Sequence, residues 1–453
     1  MGKNNQQRRA AKAKDRRRRA QTPPERGSGP PQNPFGWDPR LLEPTPEELR
    51  AAAAADLLSV LAEAAAVAPA GQLPHLLRRQ LAEHDSAVRA EAERMVVGEL
   101  TSRLAAAWEH GWQPQDLQHG ASKRGSRTEG LTASLITEQA RMIGAGRRAP
   151  YAWREQLQLV AERATPSPPG GWHPVRLLQT DGVAEAEAWA EVLGLVKILA
   201  ELPPLAVLLP PPSTWGRDAA TDVRSDSSDR DRVLNRIRAL LAKAEATDHP
   251  AEAETFTAKA QELMTRHAVD EALLRAGAEE TIEVVTRRVH LQSPYAAVKV
   301  LLVNAVAGAN RALTIYLESF GIASMVGTPV DLEQVELLFT SLLIQATRAM
   351  AAAGKARAGS FDRSATFRRS FLTAYAHRIG QRLTEADRST TESYGAELVP
   401  LLHRQASAVD AEFERQFPHT RNLNAGYIDP RGWRAGLAAA DEAVFVAGRL
   451  PTT

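Results

Sequence analysis

The chain has 453 residues, a hydrophobic fraction of 43%, aromatics at only 5% and no cysteine. That length calls for about two to four domains. The absence of cysteine removes disulfides, thiolate nucleophiles and cysteine-based zinc sites. Ala, Leu and Arg dominate, and such side chains lose little freedom in helices. Net charge is +2, yet residues 1–26 hold ten Lys or Arg against Asp15 and Glu25. The chain thus joins a polycationic tail to a mildly acidic body.

Residues 1–40 are rich in Gln, Asn, Arg, Pro and Gly and offer little to bury, so a disordered basic tail is expected. Arg16, Arg17, Arg18 and Arg19 have two readings: attraction to nucleic-acid phosphates, or a solubilising arm. No apolar run follows the basic start, so no signal peptide is expected. The most apolar region, Val192 to Leu209, is broken by Lys197, Glu201, Pro203 and Pro204. It is too short and interrupted to span a bilayer, and a cytoplasmic protein without membrane contact is the expectation.

Residues 41–209 read as a helical domain. Thr45-Pro46-Glu47-Glu48 is a helix start: a capping hydroxyl, proline at the first position, then acids near the positive dipole end. Further helices are expected near Pro74–Glu83, Ser86–His110, Thr128–Ile143, Tyr151–Arg163 and Val183–Leu202. Gly111-Trp112 and Gly170-Gly171-Trp172 mark turns between them. Residues 210–230 are rich in Pro, Ser and Asp and read as a linker.

Residues 231–278 read as a helical hairpin. Val233, Leu234, Ile237, Leu240, Leu241 and Ala244 share one helical face, with Arg232, Arg236 and Lys243 on a narrower stripe. A second helix opens at Pro250, and Phe256, Ala260, Leu263 and Met264 repeat at helical spacing. The break at Thr247-Asp248-His249 is short enough to force antiparallel packing. Through Ile237, Leu240-Leu241, Lys243-Ala244, the Pro250–Glu254 start, Lys259-Ala260, Leu263-Met264 and His267, residues 231–274 resemble the domain of unknown function 2786 family. The resemblance implies a helical hairpin and no established activity. Six basic and six acidic residues between Asp231 and His267 make this element neutral, a weak phosphate attractor by itself.

Residues 279–453 read as an α+β domain with a small antiparallel sheet. Thr281–Leu291 is β-branched and strand-like, and Ala312–Leu317 and Ala323–Val326 form a strand pair around Gly321. Helices are expected at Pro294–Ala307, from Thr328-Pro329 onward, over Thr366–Arg388 and after Asp429-Pro430. In that last helix Gly432, Gly436, Ala439 and Ala440 occupy close-packing positions. The stretches VGTPVDLEQVELLFTSLL and FRRSFLTAYAHRIGQRL resemble the companion domain that often follows the hairpin family, also without settled function.

Lys355 to Arg382 carries seven basic residues against Asp362 alone. Arg363, Arg368, Arg369, Arg378 and Arg382 therefore form a candidate phosphate or nucleic-acid surface. The other reading pairs them with acids such as Glu333, Glu336 or Asp441. No GxxxxGK[ST], GxGxxG, HExxH or GxSxG motif is present, and the eleven histidines lack metal spacing. No catalytic residue, metal or cofactor is expected. The leading expectation is a mainly α, multidomain, non-enzymatic interaction protein that engages nucleic acid or a protein partner. The alternatives are an enzyme with its site in the C-terminal domain and a protein-binding scaffold built on the N-terminal helices.

Overall fold

A computed structural model describes residues 44–69, 71–165, 172–216, 282–356, 364–393, 399–420 and 429–443, with seven residues between 236 and 263. Fourteen α-helices, one short 3-10 turn and three strands lie among them. The basic tail falls outside the described residues.

The N-terminal unit contains α1 (Pro46–Val67), α2 (Leu73–Ala82), α3 (Ser86–Glu109), α4 (Pro114–Ser122) and α5 (Ser126–Met142). It continues with α6 (Ala145–Arg148), α7 (Tyr151–Ala161), α8 (Pro174–Thr180), α9 (Glu185–Ala200) and the 3-10 turn Pro212–Thr214. Helix α1 begins as its sequence requires: Glu48 N–H donates to Thr45 Oγ1 at 3.2 Å, and Thr45 N–H donates back to Glu48 Oε2 at 2.7 Å. Asp85 caps α3, accepting from Val88 N–H at 2.8 Å. The helices α4, α6 and α8 are absent from the sequence reading. They are short, and two of them, α4 and α8, begin at a proline after a turn; periodicity has little length to act on there.

Residues 203–216 form a strap that includes the start of the expected linker, whose remainder, 217–230, lies outside the described residues. This strap lies back across the end of α3. Leu205 N–H donates to His110 O at 2.8 Å, and Trp112 Nε1 donates to Pro203 O at 2.8 Å. Trp215 is buried edge-on to Trp153, ring centroids 5.5 Å apart. A proline-rich run is thus part of the folded unit as far as Trp215, held by these hydrogen bonds and by the docked indole.

The C-terminal unit holds β1 (Val285–His290), α10 (Ala296–Ala309), β2 (Leu313–Leu317) and β3 (Ile322–Gly327). The long helices α11 (Pro329–Ala356), α12 (Ala365–Ser393), α13 (Val399–Gln416) and α14 (Pro430–Glu442) follow. The sheet is antiparallel in order β1-β3-β2, with Val285 opposite Gly327 and Leu313 opposite Val326. Central β3 is buried throughout. The fold is therefore mainly α with a small antiparallel sheet in the C-terminal region, as the sequence implies. Helix α13 went unread.

Helix α11 has the length and apolar composition to cross a membrane, but Leu332, Val335, Leu338 and Leu342 on it are buried in the C-terminal core. At its start Thr328 and Asp331 cap each other, and buried Asp331 also accepts from Arg311 Nη2 at 3.1 Å and from Gln405. Arg311 reaches Asp387 on α12 at 2.9 Å. Burial disfavours the Arg311 charge, but the two aspartates outweigh it and raise its pKa. Arg311 so ties α11 and α12 to the turn before β2, and Asp331 draws in Gln405 of α13.

Arg236, Ile237, Ala239, Leu240, Leu241 and Lys243 are helical, and Ile237 and Leu241 are buried in the C-terminal core, with Leu240 and Leu263 packed against it. The interhelical break at 247–249 and His267 lie outside the described residues.

Candidate functional site

Helix α12 carries two kinds of surface. Phe367, Phe371, Tyr375, Ile379 and Leu383 are buried at spacings of four, the apolar side the sequence predicts. Arg369, Thr373, His377, Gln381 and Glu385 form a second row at the same spacing, so they too share one face. Thr373, His377, Gln381 and Glu385 of this row border a groove of about 850 Å³ between α10, α12 and α14.

Small residues build the groove. A Cβ added to Gly432 would stand 2.4 Å from Phe367 O, and one on Gly436 would stand 2.2 Å from Phe371 O. Only glycine lets α14 approach the α12 backbone this closely. On the other flank Gly380 sits against α10, where an added Cβ would meet Ala305 Cβ at 3.2 Å. The close approach leaves larger neighbours standing as walls. Trp433, between the two contact glycines, faces His377 with ring centroids 5.9 Å apart and planes 33° apart. Gln381 Nε2 lies 3.1 Å from His377 Nε2. Asn304 on α10 and Thr373, Thr384 and Arg388 on α12 complete the polar lining, with Glu385 as its acid. Behind the groove, burial pushes the Tyr375 phenol up, opposed in part by Arg382.

The arginines singled out by sequence separate into three groups. Arg16, Arg17, Arg18, Arg19 and Arg363 lie outside the described residues. Arg378 Nε donates to Asp441, and Arg382 Nη1 donates to the carbonyls of Ala440 and Ala443. These two hold the C-terminal end of α14 against α12, where cations suit the exposed carbonyls. Arg368 is half-buried and Arg369 exposed, and neither lines the groove. Sequence reasoning did not single out Asn304, His377, Gln381 or Trp433. The row of polar residues at intervals of four was the available signal on α12. Nothing local pointed to Trp433, which comes from 56 residues beyond His377.

Fold and groove together define a mainly α protein with an open, aromatic-edged groove of mixed apolar and polar lining in its C-terminal unit. Among the described residues, no group of three or more His, Asp or Glu is placed to hold a metal ion. Residues 232–271 match the model of a family described as Protein of unknown function (DUF2786), and the match stops before the sheet-bearing region. No curated protein and no solved structure matches the chain.

Proposed function

We propose that this is a non-enzymatic interaction protein that takes single-stranded nucleic acid in the α10–α12–α14 groove. The observation that carries the reading is the Trp433–His377 ring pair, set among the amides and hydroxyls of Asn304, Thr373, Gln381 and Thr384, with Arg388 beside them and Arg368 and Arg369 earlier on α12. An indole wall offers a base a stacking surface, and the flanking guanidiniums suit phosphates. The basic residues 1–26 add sequence-independent attraction by counterion release. Arg378 and Arg382 act here as braces for α14, and Arg368 and Arg369 supply the charge on the near side.

The test is anisotropy of a labelled oligonucleotide, single-stranded or duplex, at several salt concentrations. Stacking contributes about 1–3 kcal/mol per base, so Trp433→Ala should weaken single-strand binding roughly 10- to 100-fold. Arg369→Ala and removal of residues 1–26 should flatten the salt dependence. Binding indifferent to salt, or unchanged in Trp433→Ala, sinks the proposal. A second reading, an enzyme site for a small molecule, is favoured by the groove volume and by the convergence of His377 and Glu385 on it. It predicts no oligonucleotide binding and a small ligand whose binding needs both residues.

A further inference from the structure

The two units meet at a seam made of α4, the 203–206 strap, β1 and the β2–β3 turn. Phe320 of the β2–β3 turn and Ile322 of β3 are buried in the N-terminal core. Phe320 lies edge-on to Trp112 with ring centroids 4.7 Å apart, and a Cβ on Gly120 would collide with its ring at 2.3 Å. Arg288 of β1 donates to Gly111 O at 2.9 Å, to Ala206 O and to Asp116 of α4. His290 Nε2 meets the other Asp116 oxygen at 2.8 Å, and Lys123 Nζ donates to Glu318 O at 2.7 Å.

His119 sits inside this seam and is only 7% exposed. Its ring faces His290, centroids 5.0 Å apart. Its Nε2 has no hydrogen-bond partner and lies against Gly321, where an added Cβ would be 3.0 Å away. The Gly321 backbone favours a proton on the ring, but burial outweighs it. Among the charged groups, His290 of β1 and Lys123, just past its own helix, oppose a proton on the ring, and Asp116 favours one. The acid within the seam, Asp116, is already engaged by Arg288 and His290. Glu318, on the β2–β3 turn, offers Lys123 its backbone carbonyl. On α5, Glu129 is turned to Gln118 and Arg163, and α7 presents uncharged Gln156 to Gln113.

We propose that this seam is an acid-sensitive clasp, in which proton uptake by His119 loosens the N-terminal unit from the β2–β3 hairpin. Burial, then the neighbouring His290, hold the His119 pKa down at about 4, against 6.5 when free. The sign follows from the depressed value of a base. Above 6.5 both clasped and loosened forms are neutral, and the clasp has its full strength. Between 6.5 and about 4 the loosened form takes up a proton that the clasped form refuses, so the clasp weakens as pH falls. Each unit of separation is tenfold, so from pH 7 to pH 5 the opening equilibrium should rise roughly 20-fold.

Hydrogen exchange of the full chain, scaled to intrinsic rates, reads this directly. The amides of Leu205, Leu291 and Gly321 are bonded at the seam, to His110 O, Gly321 O and Leu317 O. They should lose roughly 20-fold protection between pH 7 and pH 5 while α1 and α11 keep theirs. His119→Gln and His119→Phe should abolish the loss. Unchanged seam protection in the unmodified protein overturns the clasp even if neither variant folds. So does a uniform fall across all helices, which would be general acid unfolding. An equal fall in both variants would place the titration elsewhere and overturn it as well.

Discussion

In the N-terminal unit, Trp108, Trp112, Trp153, Trp172, Trp189 and Trp215 are all buried. In the C-terminal unit, Gly380, Gly432 and Gly436 bring long helices to near-backbone contact, and Trp433 lines a groove. Where packed helices leave a gap, an indole fills it with one side chain. Where glycines bring helices to backbone contact, large side chains are displaced to the edges. The same residue type is therefore filler in one unit and wall in the other. The units also bury charge differently. Glu93 of α3 accepts Val175 and Arg176 N–H groups at 2.9 and 3.3 Å, neutralised by a helix start. Asp331 instead takes Arg311 from another element.

The largest expected effect sets one indole against the other. Trp189→Ala should cost about 3–5 kcal/mol in urea denaturation, because it empties a packed core site. Trp433→Ala should cost under about 1 kcal/mol, as a partly exposed wall residue. Equal losses would erase the contrast and make the groove part of the core. Next comes the seam, whose Arg288 and Asp116 side chains are only 4% and 3% exposed. Arg288→Ala leaves buried Asp116 with His290 and the Gln113 N–H but without its arginine, and should cost about 3–5 kcal/mol. It should also split a single unfolding transition into two, and a sharp single transition would show that hydrophobic contacts alone couple the units. The smallest effect compares two helical glycines. Gly436→Ala forces α14 off α12 and should lower stability by about 1–3 kcal/mol. Gly98 on α3 has nothing within 4 Å of an added Cβ, so Gly98→Ala should raise stability by about 0.5–1 kcal/mol. A neutral Gly436→Ala would mean the long helices have room to slide.

Legibility tracked the range of the interaction. Helix starts at Thr45-Pro46, Thr328-Pro329 and Asp429-Pro430 were readable, because a cap involves residues two or three apart. The strand pair around Gly321 was readable from β-branched runs flanking a glycine, which adopts φ +69°. The close-packing role of Gly432 and Gly436 was legible as spacing, though not the partner they pack on. The linker was misjudged at 210–216, since composition does not reveal that Trp215 docks on Trp153. The basic surface was legible as a count of arginines. That Arg378 and Arg382 reach α14 was not, because their partners lie about sixty residues away.

By itself the sequence determined the mainly helical composition, the small sheet, most helix starts and the 232–271 family match. Those features rest on helical and strand periodicity and on caps, all acting within a few residues. Only the tertiary structure decided what lies in the groove and what holds the seam. Asp116 meets Arg288 across 172 positions, and Trp433 meets His377 across the α12–α14 contact. Such pairings depend on which faces dock and how closely, and that closeness was set by glycines whose missing side chains leave no local signal.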